Sequence, residues 1–242
     1  MVLRIKFYGL TLIVLAAICL SSAANADLRS LTREKTSCLK DISLTARVVN
    51  ANKDELRKIS KDFPKSYEFK TSTISFKCPD KMKMEGKLGM VHGSITINGD
   101  WKITRFIVKQ KENIKNEPHK RQSEFDIGIF TDSIWSDYIV KDTDLQKGSS
   151  GNVYRVTFVR SNSRERKIAC WVDADTLKLQ KVEKYNSDGS LKARYIYSCH
   201  SHINGIWVPG RVDVYNCDGK LAGATEYENI RVNAGIPDSE FK

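Results

Sequence analysis

The 242-residue chain has no apolar run long enough to cross a membrane as a helix. The apolar segment Leu10–Leu20 has 11 residues, and a spanning helix needs about 20. Phosphate-loop, dinucleotide-binding, HExxH and Gly-x-Ser-x-Gly signatures are all missing, which removes the usual nucleotide, zinc-protease and hydrolase readings. Carboxylates are frequent, but their spacing suggests turns and one polar sheet face and singles out no acid–base pair. These absences point to a protein that is not an enzyme and uses no cofactor. No repeat of fixed period and no shift of composition divides the chain. Lys and Arg are scattered over many strand patterns, without the aromatic interleaving of a nucleic-acid groove, so no nucleic-acid partner is expected.

What is present begins with a leader. Arg4 and Lys6 form a basic region, Leu10–Leu20 an apolar core, and Ala24-Asn25-Ala26 a small-x-small cleavage signal. Residues 1–26 are therefore read as a signal peptide cleaved before Asp27, which predicts export. An acyl anchor on Cys19 is the competing idea, disfavoured because Ile18 stands where a small residue is usual. Loss of Arg4 and Lys6 lowers the net charge from +11 to +9. Residues 27–242 suit a single soluble domain, expected to be a monomer. Five cysteines remain, Cys38, Cys78, Cys170, Cys199 and Cys217. Export permits disulfides, but an odd count leaves at least one thiol unpaired. Hairpin register puts Cys170 and Cys199 two strands, about 9–10 Å, apart, too far for a bridge. Cys38–Cys78 is the one pair not excluded.

The stretch from Asn152 to Val232 reads as an antiparallel meander. Strand patterns at Asn152–Arg160, Arg166–Val172, Leu177–Tyr185, Leu191–Ser198, Ile206–Asn216 and Leu221–Val232 are separated by turn signals such as Asp188-Gly189, Asn204-Gly205 and Asp218-Gly219. Alternation with period two gathers Ile168, Cys170, Val172, Leu177, Leu179, Tyr195, Tyr197, Val208, Val212, Val214 and Leu221 on one face. Lys167, Lys178, Gln180, Lys184, Lys192, Arg194, Arg211, Asp213, Glu226 and Glu228 fall on the other. One apolar and one polar face are what an antiparallel sheet shows when only one side is covered.

Upstream, Leu28, Leu31, Lys35, Cys38, Leu39 and Ile42 recur at helical spacing across Asp27–Asp41. Ile42–Asn50 has strand composition. Asn52 caps a second helix with Leu56, Ile59 and Phe63 on one side, ended by Pro64. Tyr67–Lys77, Lys81–Lys87, Ser94–Asn98 and Trp101–Lys109 alternate as strands, the last two across the Asn98-Gly99-Asp100 turn. Lys109–Arg121 is polar, contains Pro118 and reads as a surface loop. Thr131 or Asp132 is placed as the cap of a short helix with Ile134, Trp135 and Tyr138. The fold class is mainly β (α+β): an open or incomplete antiparallel β-barrel of about ten to eleven strands, with helices over its concave apolar face.

Cys199-His200-Ser201-His202 is the one candidate metal cluster. Zinc needs three or four converging ligands, and register puts Cys217 at the far end of its hairpin, so no metal site is assigned. Tyr195 and Tyr197 share the apolar face, whereas Trp207 and Tyr215 fall opposite.

Val172-Asp173-Ala174-Asp175-Thr176-Leu177, Asn186-Ser187-Asp188-Gly189, Asn204-Gly205-Ile206-Trp207-Val208-Pro209 and the tail Asn233-Ala234-Gly235-Ile236-Pro237-Asp238-Ser239-Glu240-Phe241 occur in that order. With Lys77-Cys78-Pro79-Asp80-Lys81-Met82, this series resembles the outer-membrane lipoprotein-sorting family, the LolA-like periplasmic carriers. The resemblance covers most of residues 27–242. It implies the periplasm as the compartment, and an open barrel whose hydrophobic hollow, lidded by helices, holds acyl chains, with envelope membrane proteins as donor and acceptor. One departure stands out: those carriers have a lid-latching basic residue before the proline, and here Cys78 occupies that place behind Lys77. The function read from the sequence is that of an exported carrier binding lipoprotein acyl chains or lipid, in lipoprotein sorting to the outer membrane. The alternative is an envelope sensor acting on a regulatory partner. Expected ligand-lining residues are Ile168, Val172, Leu179, Tyr195, Tyr197, Val208, Val212 and Val214, about half of them in the cavity.

Overall fold

The computed structural model describes residues 27–117, 120–148, 151–160 and 167–242. The expected leader, with Cys19 and the cleavage site, and Pro118 lie outside the described residues. Helix α1 spans 27–36 and leads into β1 (Asp41–Ala51), α2 (Lys53–Ile59) and a 3₁₀ turn at Phe63–Tyr67. Strands β2 (Thr71–Lys77), β3 (Lys81–Leu88), β4 (Val91–Asn98), β5 (Trp101–Arg105) and β6 (Lys109–Asn113) follow as successive hairpins. A second 3₁₀ turn, Glu124–Ile127, and α3 (Ile134–Asp137) precede β7 (Tyr138–Gly148), β8 (Gly151–Arg160), β9 (Lys167–Asp173), β10 (Leu179–Tyr185) and β11 (Leu191–Ser198). The chain continues through β12 (Ser201–Ile203), β13 (Ile206–Val208), β14 (Arg211–Asn216), β15 (Leu221–Val232) and a 3₁₀ turn at Asp238–Phe241.

Thirteen strands form one sheet in the order β6-β5-β4-β3-β2-β1-β15-β14-β11-β10-β9-β8-β7, and β12–β13 form a separate hairpin. The sheet is antiparallel and open, with β6 and β7 at its two edges. The described residues hold fifteen strands, more than the ten or eleven expected, for four physical reasons. Ser201–Ile203, read as loop, pairs with Ile206–Val208 as the short strand β12. Lys109–Asn113, read as loop, is an all-exposed edge strand paired only to β5, so it carries no apolar alternation. β7 is likewise an edge strand of mostly polar sequence. The run Ile206–Asn216 breaks at Pro209-Gly210 into β13 and β14, because Pro lacks the N–H that a ladder needs; Gly210 N–H turns back to the Ser198 and Cys199 carbonyls.

Register confirms most of the expected apolar face. Tyr195 lies opposite Val182 and Val214, Tyr197 opposite Val212, Val172 opposite Tyr154 and Leu179, and Ile168 opposite Phe158. Four assignments change. An irregularity between Leu179 and Lys181 shifts the phase of β10, so Lys184 pairs with Ile168 and Ala193 and joins the inner face. Leu177 sits outside the strand with a left-handed φ of 61°. Leu221 pairs with Tyr215 on the outer face. Val208 belongs to the separate hairpin. Outside, Arg47 bonds Glu226 at 2.5 Å and Glu228 at 2.8 Å, part of the polar ladder that water reaches.

Two covers close the inner face. Over β7–β11 and β14, α1 contributes Leu28 and α2 contributes Leu56, both fully buried, with Phe125 and Phe130 packed among Val156, Phe158, Val172 and Leu179. Each such side chain adds about 1.5–3 kcal/mol of apolar burial. Over β1–β4, Ile127, Ile129 and the β12–β13 hairpin cover Ile42, Leu44, Phe76 and Met82. Helix α2 starts where expected: the Asn52 side chain accepts from Asp54 and Glu55 N–H at 3.2 and 3.3 Å. It ends at Ile59, and Pro64 opens the next 3₁₀ turn instead of stopping the helix. α3 starts after Ser133 with no side-chain cap, because the Thr131 hydroxyl is donated to Glu124.

The tail was not foreseen as a cover. Asn233–Phe241 crosses the outer face of β3 and β4, where Phe241 is fully buried. Asp41 accepts from the Ala234, Gly235 and Ile236 N–H groups, and Lys77 donates to the Ile236 carbonyl and pairs with Asp238 at 2.6 Å. The outer face is therefore dry at this end and wet elsewhere.

Candidate functional site

Between the sheet and its covers lies a cavity of about 210 Å³. Its floor is the centre of the sheet: Ala46 and Val48 of β1, Ile74 and Phe76 of β2, Met82 and Met84 of β3, Tyr195 of β11, Val212 and Val214 of β14, and Tyr227 of β15. Its roof is Phe63, Ser66 and Tyr67 of the first 3₁₀ turn, with Gln122, Asp126 and Ile127 of the second cover. Burial pushes the Tyr67, Tyr197 and Tyr227 phenols well above their ordinary range, so these hydroxyls stay uncharged at physiological pH.

Glycines set how closely the covers approach. A Cβ on Gly223 would lie 2.5 Å from the Tyr67 ring, and one on Gly128, at φ +92°, 2.4 Å from the Tyr197 ring. Both rings therefore occupy space that a side chain at these two positions would need. At the other end of the cavity Gly86 and Gly93 pair across β3 and β4. They leave a slot for Phe69 and Phe106, whose rings stack at 5.9 Å.

The roof is held by polar contacts at its margins. The Glu55 carboxylate accepts from the buried Asn216 amide at 2.6 Å, and Lys58 bridges Glu55 and Asp218, each at 2.9 Å. These tie α2 to the β14–β15 turn. In the second cover the buried Glu124 carboxylate accepts from the Thr131 and Ser133 hydroxyls. Lys77, beside Cys78, pins the tail instead, so the side chains holding α2 down are Glu55 and Lys58.

Of the eight residues expected to line a ligand site, Tyr195, Val212 and Val214 border this cavity. Val172 and Leu179 are sealed beneath α1 and the phenylalanine cover, Tyr197 lies under Gly128, and Ile168 packs half-buried against the same core. Val208 supports the opposite cluster. The lining that was missed, above all Phe69, Ile74, Phe76, Met82 and Met84, comes from β2–β3 and the residues before them. The alternation Lys81-Met82-Lys83-Met84 was its visible signal. Two other recesses have different chemistry. One of about 240 Å³, between α1 and the β12–β13 hairpin, is bordered by Lys35, Thr36, Thr176 and His202. One of about 420 Å³ is an outer groove along β7–β9 bordered by Lys141, Arg155 and Lys167. Neither touches the apolar floor.

His200 and His202 do not converge. His200 Nε2 lies 3.0 Å from the Leu179 carbonyl oxygen, and burial lowers its pKa; His202 stacks on Trp207 at 4.7 Å. Among the described residues no three His, Cys, Asp or Glu side chains come together as metal ligands. Cys38, Cys78, Cys170, Cys199 and Cys217 are free thiols, Cys170 being buried.

Solved structures share the overall fold of this chain at low sequence identity. A LolA superfamily protein from Nitrosomonas europaea superposes with a TM-score of 0.61 at 13% identity, covering 90% of this chain and 97% of the other. The chain has a LolA-like fold. A domain classed provisionally as an outer-membrane lipoprotein-sorting protein, from Vibrio parahaemolyticus, gives a TM-score of 0.56 at 13% identity with the same coverages. A DUF1329 family protein from Desulfovibrio piger gives 0.53 at 15%, covering 92% and 97%. A family model described only as an uncharacterized protein matches residues 126–242. No curated protein matches the chain. In the LolA-like fold of this protein the hollow lies under the first 3₁₀ turn, which runs between α2 and Phe69.

Proposed function

We propose that this protein is an exported carrier that holds the acyl chains of a lipoprotein or lipid in the hollow between sheet and covers. The observation that carries the reading is the cavity itself: an apolar floor drawn from six strands, and a roof held at its edge by surface ion pairs. Apolar surface recognises an acyl chain without directionality, and each buried CH₂ contributes about 0.8 kcal/mol. Tyr67 and Tyr227, whose buried phenols keep their protons, put no charge on the cavity wall. The similar sorting-type domain and LolA superfamily fold support the same reading by likeness of fold. The mechanism is physical: chains enter as the roof lifts, and release follows when Tyr67 settles back on Gly223.

Val214→Glu tests this. It puts a carboxylate on the cavity floor, and a fluorescent fatty acid should then bind at least ~10-fold more weakly, since an unpaired buried charge is costly. Leu221→Glu, on the outer face, is the control expected to bind normally. Equal binding by both variants and the unaltered protein would refute the assignment. Native mass spectrometry of protein purified from the envelope would identify the cargo.

A further inference from the structure

Five of the nine exposed large apolar side chains among the described residues lie on two neighbouring hairpin tips. Met90, fully exposed, and Val91 form the β3–β4 tip. Phe106, Ile107 (87% exposed) and Val108 (67%) form the β5–β6 tip. Register sets the tips side by side. β3 pairs with β4 as far as Leu88–Val91, but β4 and β5 separate beyond Ser94–Arg105. The chain at 106–108 therefore turns back over β4, and a Cβ on Gly93 would lie 2.2 Å from the Phe106 ring. Singly exposed apolar residues are ordinary, but a contiguous exposed set marks an interaction site.

The surroundings select the partner. Lys70, Lys87 and Lys109 are exposed around the tips, with Arg105 at the base of the second. Glu68 and Glu85 are the carboxylates on these segments, and Glu85 is already held by Lys83 at 2.7 Å. Apolar fingers inside a basic collar match the boundary between acyl chains and anionic head groups. Phe106 then links this surface to the hollow, because it stacks on Phe69, which lines the cavity.

We infer that the β3–β4 and β5–β6 tips dock the protein on an anionic lipid surface, inserting Met90, Ile107 and Val108 between head groups. Docking sets the Phe106–Phe69 end of the hollow against the bilayer, where an acyl chain passes between membrane and cavity. The passage rests on the carrier reading; the docking does not.

The test is co-sedimentation of the purified protein with vesicles of equal parts phosphatidylglycerol and phosphatidylcholine, against pure phosphatidylcholine. Binding is expected to the anionic vesicles, about 10-fold weaker for Met90→Ser with Ile107→Ser, and about 10-fold weaker for Lys87→Gln with Lys109→Gln. All four positions are exposed, and fatty-acid binding without vesicles should stay as in the unaltered protein. No binding to anionic vesicles, or binding that neither pair of substitutions weakens, overturns the inference. So does concentration-dependent self-association that Ile107→Ser abolishes in the absence of vesicle binding. If fatty-acid binding is missing while tip-dependent vesicle binding persists, the carrier reading fails and the docking surface stands.

Discussion

Glu183 shows how one buried carboxylate organises the outer face of β10. The Tyr185 hydroxyl donates to it at 2.6 Å and Arg194 at 2.9 Å, and Lys181 lies 3.5 Å away. Burial alone would raise its pKa; the Tyr185 hydroxyl and the Arg194 and Lys181 charges outweigh it, so the group titrates below the ordinary glutamate range. A depressed folded pKa means that the unfolded chain binds the proton first. The stabilisation is complete above about pH 4.3 and is lost as pH falls from there through the lower folded value. Glu183→Gln should cost about 1.5–3 kcal/mol at pH 7, and the gap to the unaltered protein should shrink in urea titrations at pH 3. A gap that is the same at both pH values would show that the charge contributes nothing. The same strand marks the limit of alternation as a guide. Tyr195, Val212 and Val214 could be assigned from period two because β11 and β14 pair without interruption around them. Lys184 could not, because the irregularity after Leu179 depends on the neighbouring strand and leaves no mark in local composition.

At the level of elements, the covers meet the sheet through two kinds of contact. α1 and the Phe125–Phe130 segment fill the hollow over β7–β10 with fully buried side chains. The α2–3₁₀ unit bridges the cavity and rests on Glu55–Asn216, Lys58–Asp218 and the Tyr67–Gly223 contact. Asn52 and the apolar spacing behind it made α2 readable, since a helix cap and its face are local properties. The tail strap was not readable: its anchors, Asp41, Lys77 and Lys83, are distant in sequence and look like ordinary surface charges. Glu55→Ala removes the acceptor of a buried amide and should cost about 1–3 kcal/mol. It should also speed amide exchange across residues 53–67 while leaving β8–β10 protected, and raise the rate of fatty-acid uptake. Uniform acceleration of exchange throughout the sheet would instead mean that α2 unfolds only with the whole molecule.

The whole molecule sets a limit on the closed state. A dry cavity of about 150 Å³ accommodates benzene, and drug-sized ligands occupy pockets of about 300–1,000 Å³. At about 210 Å³ the partly open hollow falls short of that range, so on the carrier reading a long acyl chain displaces the roof to be held. The sheet beneath need not change, because each of its thirteen strands is hydrogen-bonded to its neighbours and the phenylalanine cover packs on its β7–β10 half. On that reading the energy of binding is the burial of each methylene less the cost of lifting Tyr67 and α2. A short chain that fits the existing space should bind without that cost but weakly. Beyond the length that fills the cavity, affinity should pause, because further methylenes repay the lifting of the roof before they add stability. It should then climb again by about 0.8 kcal/mol per CH₂. Calorimetry over a series of saturated fatty acids, with hydrogen exchange at residues 53–67 recorded for each, checks this. The exchange should quicken at the length where the pause begins. A steady rise in affinity with residues 53–67 protected throughout would mean that the chains bind outside the hollow, since nothing of that length fits beneath a roof that stays shut.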